Sequence, residues 1–222
     1  MNPKPDNLIG CVLAGGLSRR MGGGDKALRL LGGVPMLGRV IERLRPQTGR
    51  LIVNANGDPQ RFSEFGLPVV EDDIKGFAGP LAGVAAGMRW SSENAAGCSH
   101  IVTAAADTPF FPADLVSRFL SEASIGPDTI VMATSQGNRH PVFALWPVAL
   151  HDDLARWLQE TETYKVMAWV QNHDLQQVDF PLVVTSGKQL DPFFNANTPE
   201  DFATAEKLAM QMSEETLTEG QS

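Results

Sequence analysis

Residues 9–26 read IGCVLAGGLSRRMGGGDK. The uninterrupted apolar run at 9–13 is cut off by Gly15 and Gly16, the pattern of a short strand buried on both faces. Glycines and basic side chains then dominate 15–26, which reads as a loop rather than an element. Pro35 suits the opening of a helix, and Met36, Leu37, Val40, Ile41 and Leu44 recur at helical spacing behind it. A buried strand, a glycine loop and an amphipathic helix in that order are the first unit of a parallel α/β sheet.

The pattern repeats outward from this unit. Apolar runs at 51–54, 67–70 and 100–105 predict three more strands. A second glycine loop, Gly76-Phe77-Ala78-Gly79-Pro80, precedes a helix with Leu81, Val84, Ala85 and Met88 on one face, and Pro112 opens a further helix carrying Leu115, Val116, Phe119 and Leu120. Strands at 129–134 and 141–145 flank a turn at 136–138. Leu150, Leu154, Trp157 and Leu158 suggest a helix, and a last one is expected over 199–212 with Thr198 as its N-cap. The expected fold is a three-layer α/β/α sandwich with a mostly parallel, Rossmann-like sheet. Residues 1–222 form one expected domain, with 213–222 a polar, frayed tail. In such sheets ligands bind beyond the carboxyl ends of the strands. The first glycine loop, Asn54, Asp72 and Asp107 all fall at such ends.

Composition narrows the function classes. Of the 222 residues 43% are hydrophobic and 20% charged, so the chain buries a core. It contains no apolar stretch long enough to span a bilayer, and MNPKPDN lacks the basic and apolar regions of a secretory leader. Two cysteines exclude a disulfide framework, and the four histidines show no metal-ligand spacing. A cytoplasmic protein is expected. A net charge of −8 argues against nucleic acid or anionic membrane as partner. The charge is uneven: residues 1–60 carry nine Lys or Arg against four Asp or Glu, the remainder nine against twenty-two. A basic amino-terminal part can hold a small polyanion, although charge blocks also serve only to solvate a surface.

The first loop has the chemistry of a phosphate site. Glycines let the backbone approach a ligand and expose N–H donors. Arg20 offers a planar fork and Lys26 a point charge. It is not a Walker A loop, because Lys26 is followed by Ala27 and preceded by Asp25. Nor does it have the spacing of a dinucleotide fingerprint. No nucleophile elbow with a Ser-His-Asp order is visible, which disfavours a hydrolase, and His140 reads as a hydrogen-bonded structural residue.

The run LAGGLSRRMGGGDK at 13–26 resembles the signature of nucleotidyltransferases that activate sugar phosphates and pterins. Its LAGG opening and RMGG-x-DK ending are similar to the molybdenum cofactor guanylyltransferase family in particular. Matching segments follow in order: NAN at 54–56, VVEDDIKGFAGPLAG at 69–83, ADTPFFPADL at 106–115, RHPVFAL at 139–145 and FNANTPEDF at 194–202. The resemblance implies a nucleotidyltransferase fold and transfer of GMP from GTP to molybdenum-bearing molybdopterin. It implies magnesium as cofactor, held by Asp107 and Asn197, with Lys26 and Arg20 on the triphosphate. Leu13, Ala14, Gly15, Gly16, Asn54 and Asp72 would contact the guanosine, and Glu71 and Asp73 compete with Asp72 for the inward position. Gly83, Arg139, Lys165 and Asn195 would face the molybdopterin. Lysine at 165 stands where the family often has arginine, and Ala105-Ala106 where it often has Pro-Cys. Each assignment has a plainer alternative: Asp107 and Asn197 as caps, Lys26 as solvated surface, Asp72 as part of an acidic loop. The rivals for the whole chain are a cytidylyl- or other nucleotidyltransferase and a non-catalytic nucleotide-binding protein that delivers cofactor. A molybdoenzyme chaperone or cofactor-insertion protein is the expected recipient of the product.

Overall fold

A computed structural model describes residues 5–15, 25–74, 79–185 and 188–219. Its centre is a seven-stranded sheet of β1 (Leu8–Leu13), β2 (Arg50–Asn54), β3 (Val69–Val70), β4 (His100–Ala105), β5 (Ile130–Ser135), β6 (Asn138–Pro147) and β7 (Leu175–Asp179), in the order β3-β2-β1-β4-β6-β5-β7. All strands run the same way except β6, which is antiparallel to both neighbours. The helices are α1 (Met36–Leu44), α2 (Pro80–Asn94), α3 (Leu115–Glu122), α4 (His151–Glu160), α5 (Val166–Val170) and α6 (Pro199–Glu219).

Alternation along the strands produces the two outer layers. Leu8 and Val12 of β1 face one way and join Leu37, Val40, Ile41 and Leu44 of α1 and Leu115, Val116 and Phe119 of α3. Ile9 and Cys11 face the other way and meet Val84 and Met88 of α2, Leu154 of α4 and Trp169 of α5. The strand is apolar throughout because both faces are covered, as expected for a three-layer sandwich. A third, smaller cluster joins Leu31 and Met36 to Phe110, Ala196, Ala205 and Ala209, and so docks α6 against the carboxyl edge of the sheet.

Several details depart from the sequence reading. Helix α3 starts at Leu115, three residues after Pro112, because the intervening residues form a turn closed by the Leu115 N–H on the Pro112 carbonyl. Edge strand β7 was not expected, since LQQVD buries little apolar surface. Helix α6 continues to Glu219 and takes in residues 213–219, which polarity alone placed in a frayed tail. Its start matches expectation: Thr198 Oγ1 accepts from the Asp201 N–H at 3.1 Å, and Asp201 Oδ2 accepts from the Thr198 N–H at 2.9 Å. The 136–138 turn also forms, with Gln136 and Gly137 both at positive φ as a two-residue hairpin requires. No described helix is long and apolar enough to cross a membrane.

Candidate active site

Register brings the strand ends into line. Val70 pairs with Asn54, Asn54 with Leu13, and Leu13 with Ala105, so four parallel strands stop at one level. The ladder runs one step further, from the Ala14 N–H to the Asn54 carbonyl and from the Ala106 N–H to the Leu13 carbonyl. Whatever follows each strand therefore emerges on one edge.

The chemistry gathers there in two groups. In the first, Lys26 follows the glycine loop and opens a short helical turn, Lys26–Leu28, that Asp25 caps through the Ala27 N–H at 3.1 Å. Its ammonium donates to Asp107 Oδ2 at 2.6 Å and to Asn197 Oδ1 at 2.5 Å. Asp107 lies just past β4, and its backbone carbonyl accepts from the Ala196 N–H at 3.1 Å. That bond carries the strap 194–197 across the edge, and the docked α6 holds it there. The buried hydroxyl of Thr108 donates to Asn195 Oδ1, which sets Asn195 beside Asp107. Three charged or polar groups far apart in the chain thus converge on one point.

The second group lies two strands away. Asn54 is buried, and its Nδ2 donates to the Val70 carbonyl at 3.1 Å and to Asp72 Oδ1 at 2.8 Å. Asn56 Nδ2 donates to Asp72 Oδ2 at 2.7 Å, and Asn56 Oδ1 accepts from the Asp72 N–H at 2.9 Å. Asp72 is thereby fixed by both oxygens while each keeps acceptor capacity. Among the three neighbouring acids it is the one turned into the site: Glu71 is exposed and Asp73 pairs with Arg89 at 2.7 Å. Asp72 also acts on Cys11 beneath it, whose thiol is pushed up to about 12, first by burial and then by this negative charge. Cys11 is a free, buried core residue, and a thiol raised in this way is unreactive.

The remaining expectations divide. Leu13, Ala14 and Gly15 lie at the β1 end, with Gly15 next to Asn54. Gly16 and Arg20 fall outside the described residues, as do 76–78 of the second glycine loop. Gly83 requires correction. It is buried in α2 under Asn54 and Leu13, where an added Cβ would stand 2.2 Å from Asn54 Oδ1. It is a buried residue that lets α2 pack closely on Asn54 and Leu13, and it presents no exposed surface. Arg139 is exposed at the start of β6 and reaches Gln177 of β7 at 3.4 Å, not Asn195. Lys165 is exposed at the start of α5, where the neighbouring Tyr164 carbonyl lies against Gly79. Gly79 needs to be glycine, with φ +67° and ψ −166°.

Sequence reasoning missed the supports. Asn56 has a signal, since it alternates with Asn54 past the strand end. Thr108 and Asp191 have none. Asp191 anchors the strap from its far side: Oδ1 accepts from the Phe193 N–H at 2.8 Å and Oδ2 from Ser135 Oγ at 2.8 Å. His140 is the structural residue expected, its Nε2 2.6 Å from Ser135 Oγ and its ring stacked on Phe193 at 4.3 Å. Burial lowers its pKa, against the opposing pull of Asp191.

An α/β sheet with Lys26, Asp107, Asn197 and Asp72 gathered beyond its carboxyl edge has its polar chemistry where folds of this class bind ligands. Residues 10–178 match the model of the MobA-like NTP transferase domain. A molybdenum cofactor guanylyltransferase of Mesorhizobium japonicum is 47% identical over 207 residues, covering 93% of this chain and 98% of that protein. One of Rhizobium meliloti is 50% identical over 195 residues, 88% of each. Molybdopterin-guanine dinucleotide biosynthesis protein A from Archaeoglobus fulgidus shares the fold, with a TM-score of 0.70 at 23% identity over 91% of this chain and 99% of that one. The chain belongs to the MobA-like NTP transferase family, among the relatives that bear the name molybdenum cofactor guanylyltransferase.

Proposed function

We propose that the protein transfers GMP from GTP to molybdenum-bearing molybdopterin and releases pyrophosphate. The reading rests on the relatives' names and, in this molecule, on one observation: Lys26, Asp107 and Asn197 converge at the edge that also carries Asp72. A terminal phosphate oxygen of the acceptor bonds to the α-phosphorus of GTP, while the bond from that phosphorus to the bridging oxygen of the β-phosphate breaks. Transfers of this kind depend on positioning and charge neutralisation.

Lys26 exchanges its present partners for phosphate oxygens and, with Arg20 and the N–H groups of the first loop, holds the triphosphate and stabilises the departing pyrophosphate. Asp107 and Asn197 suit a divalent cation. Their side-chain oxygens already converge on a cation, the Lys26 ammonium. Magnesium is satisfied by one or two protein oxygens plus phosphate and water, the number that Asp107 and Asn197 would supply. Magnesium bound there supplies positive charge to the triphosphate. Asp72 reads the base: guanine presents N1–H and N2–H₂ donors that a carboxylate accepts, and cytosine lacks that pair. Ala14, Gly15 and Asn54 line the same side, while Asn195, Arg139 and Lys165 serve the acceptor. The chain acts as a single transferase domain in the cytoplasm and passes its product to a chaperone or cofactor-insertion protein.

Calorimetric titration with GTP, CTP and ATP, in magnesium and then in EDTA, tests the reading. GTP-selective, magnesium-sensitive binding is expected, with pyrophosphate release once the acceptor is added. A preference for CTP overturns the guanine assignment, and binding with no pyrophosphate released in the presence of acceptor overturns the transferase.

A further inference from the structure

The two groups of the site are joined by a side chain that belongs to neither. Arg61 sits in the helical segment Pro59–Phe65, which Phe62 anchors in the core, and its guanidinium lies over the Phe62 ring at 4.7 Å. Nη1 faces Asp25 Oδ2 at 3.2 Å, and Nη2 donates to the Asn56 carbonyl at 2.6 Å. Each of those contacts leads directly into one group. Asp25 divides its carboxylate: Oδ2 faces Arg61 and Oδ1 caps the turn that begins with Lys26. Asn56 divides likewise, its backbone carbonyl on Arg61 and its side chain closed around Asp72 through both the carboxylate and the N–H. An unbroken path of polar contacts therefore runs from the Lys26 turn through Asp25, Arg61 and Asn56 to Asp72.

We propose that Arg61 is a positioning residue that couples the base-reading carboxylate Asp72 to the triphosphate-holding Lys26, so that seating the correct base also sets the lysine. The proposal rests on the nucleotide assignments above. A guanidinium suits the task because its donors form a rigid planar fork, and two contacts on different nitrogens fix the angle between the two loops. Neither Asp25 nor Asn56 lies in a strand, and no backbone bond joins the two loops directly among the described residues, so Arg61 is the contact that links them. The Asp25 side chain is 15% exposed and that of Arg61 36%, so the pair is half-buried, and the second contact on the Asn56 carbonyl adds a geometric constraint that a lone surface ion pair lacks.

The test compares the full-length wild type with Arg61→Gln and Arg61→Lys. In the nucleotide-free protein, hydrogen exchange is followed at two amides, Ala27, capped by Asp25, and Asp72, held by Asn56. Affinities for GTP and for ITP, which lacks the 2-amino group, are then measured by calorimetry. Arg61→Gln should exchange faster at both amides, bind GTP about tenfold more weakly, as loss of a charge-assisted contact allows, and discriminate less between GTP and ITP. Arg61→Lys should recover part of the affinity and less of the discrimination, because it restores charge without the fork. Wild-type protection at either amide in Arg61→Gln overturns the coupling, and so does an equal weakening of GTP and ITP. A wild type indifferent to the base would sink the guanosine reading instead, and the exchange measurement would still decide whether Arg61 couples the two loops. Should Arg61→Gln fail to fold, the same readouts on Arg61→Lys decide: unchanged protection and an unchanged GTP/ITP ratio overturn the proposal.

Discussion

Gly83→Ala sets two effects of a single methyl against each other. Alanine in a helix interior is favoured over glycine by about 1 kcal/mol, so at a roomy position the substitution stabilises. Gly83 is not roomy. The new Cβ would stand 2.2 Å from Asn54 Oδ1, 2.8 Å from Asn54 Cγ and 2.8 Å from Leu13 Cδ2. The leucine methyl can swing aside. Asn54 cannot do so freely, since it is buried and its amide nitrogen is tied to the Val70 carbonyl and to Asp72. Either Asn54 rotates and gives up a hydrogen bond to a carboxylate, about 1.5–3 kcal/mol, or α2 backs away from the sheet at an overpacking cost of about 1–3 kcal/mol. Set against the propensity gain, rotation of Asn54 leaves a net loss of about 0.5–2 kcal/mol and displacement of α2 one of about 0–2 kcal/mol. Gly38→Ala in α1 is the control: its Cβ would meet nothing closer than 3.4 Å, ordinary contact distance, so it should stabilise by about 0.5–1 kcal/mol. Urea unfolding at constant m-value measures both. Calorimetry should show weaker GTP binding for Gly83→Ala alone, because Asp72 loses one of its two holders. A Gly83→Ala protein as stable as wild type, with GTP affinity intact, would refute the argument that Asn54 is fixed.

Two further outcomes follow from the geometry. Asp107→Ala should abolish pyrophosphate release and leave the melting temperature close to wild type, because the strap is held by the Asp107 backbone carbonyl and not by its carboxylate; undiminished turnover would refute the catalytic assignment. His100 lies buried at the amino end of β4, and its Nε2 finds no hydrogen-bond partner among the described residues. Burial lowers its pKa from 6.5 to about 4. The unfolded chain therefore binds the proton more readily, so the stability tied to neutral His100 is complete above pH 6.5 and is lost as pH falls towards 4. At about 1.4 kcal/mol per tenfold in proton affinity, the loss by pH 5 is about 2 kcal/mol. His100→Gln should remove that part of the pH dependence in urea titrations at pH 7 and pH 5, and equal slopes for the two proteins would contradict the assignment.

The sheet was legible where burial dictates composition. β1, β2 and β4 lie between two helical layers, so their middles are apolar on both faces, and such a run is hard to mistake. β7 escaped because an edge strand buries one flank only, and its LQQVD needs the backbone of β5 more than a core. The carboxyl-terminal end escaped for the opposite reason. Residues 213–219 carry no apolar periodicity to read in the sequence, and the helix they continue is begun at the Thr198–Asp201 capping box.

The site was legible one loop at a time. Lys26 and Asp107 each follow a strand whose end is marked in the local sequence, so their place on the edge can be read without the fold. Their meeting cannot, because it depends on partners 81 and 171 residues from Lys26. Asn197 reaches Lys26 only because small residues, Ala196, Ala205 and Ala209, let α6 pack close beside Phe110 and Leu31. Gly83 shows the reverse error: in the sequence it looks like part of a ligand loop, and only the packing of α2 on β1 and β2 reveals that its missing side chain serves Asn54. Residues that touch a ligand tend to announce themselves by type, as a lysine or a carboxylate at a strand end. Residues that hold them, such as Arg61, Asn56 and Thr108, are chosen by distance and angle, and those quantities exist only after the chain has folded.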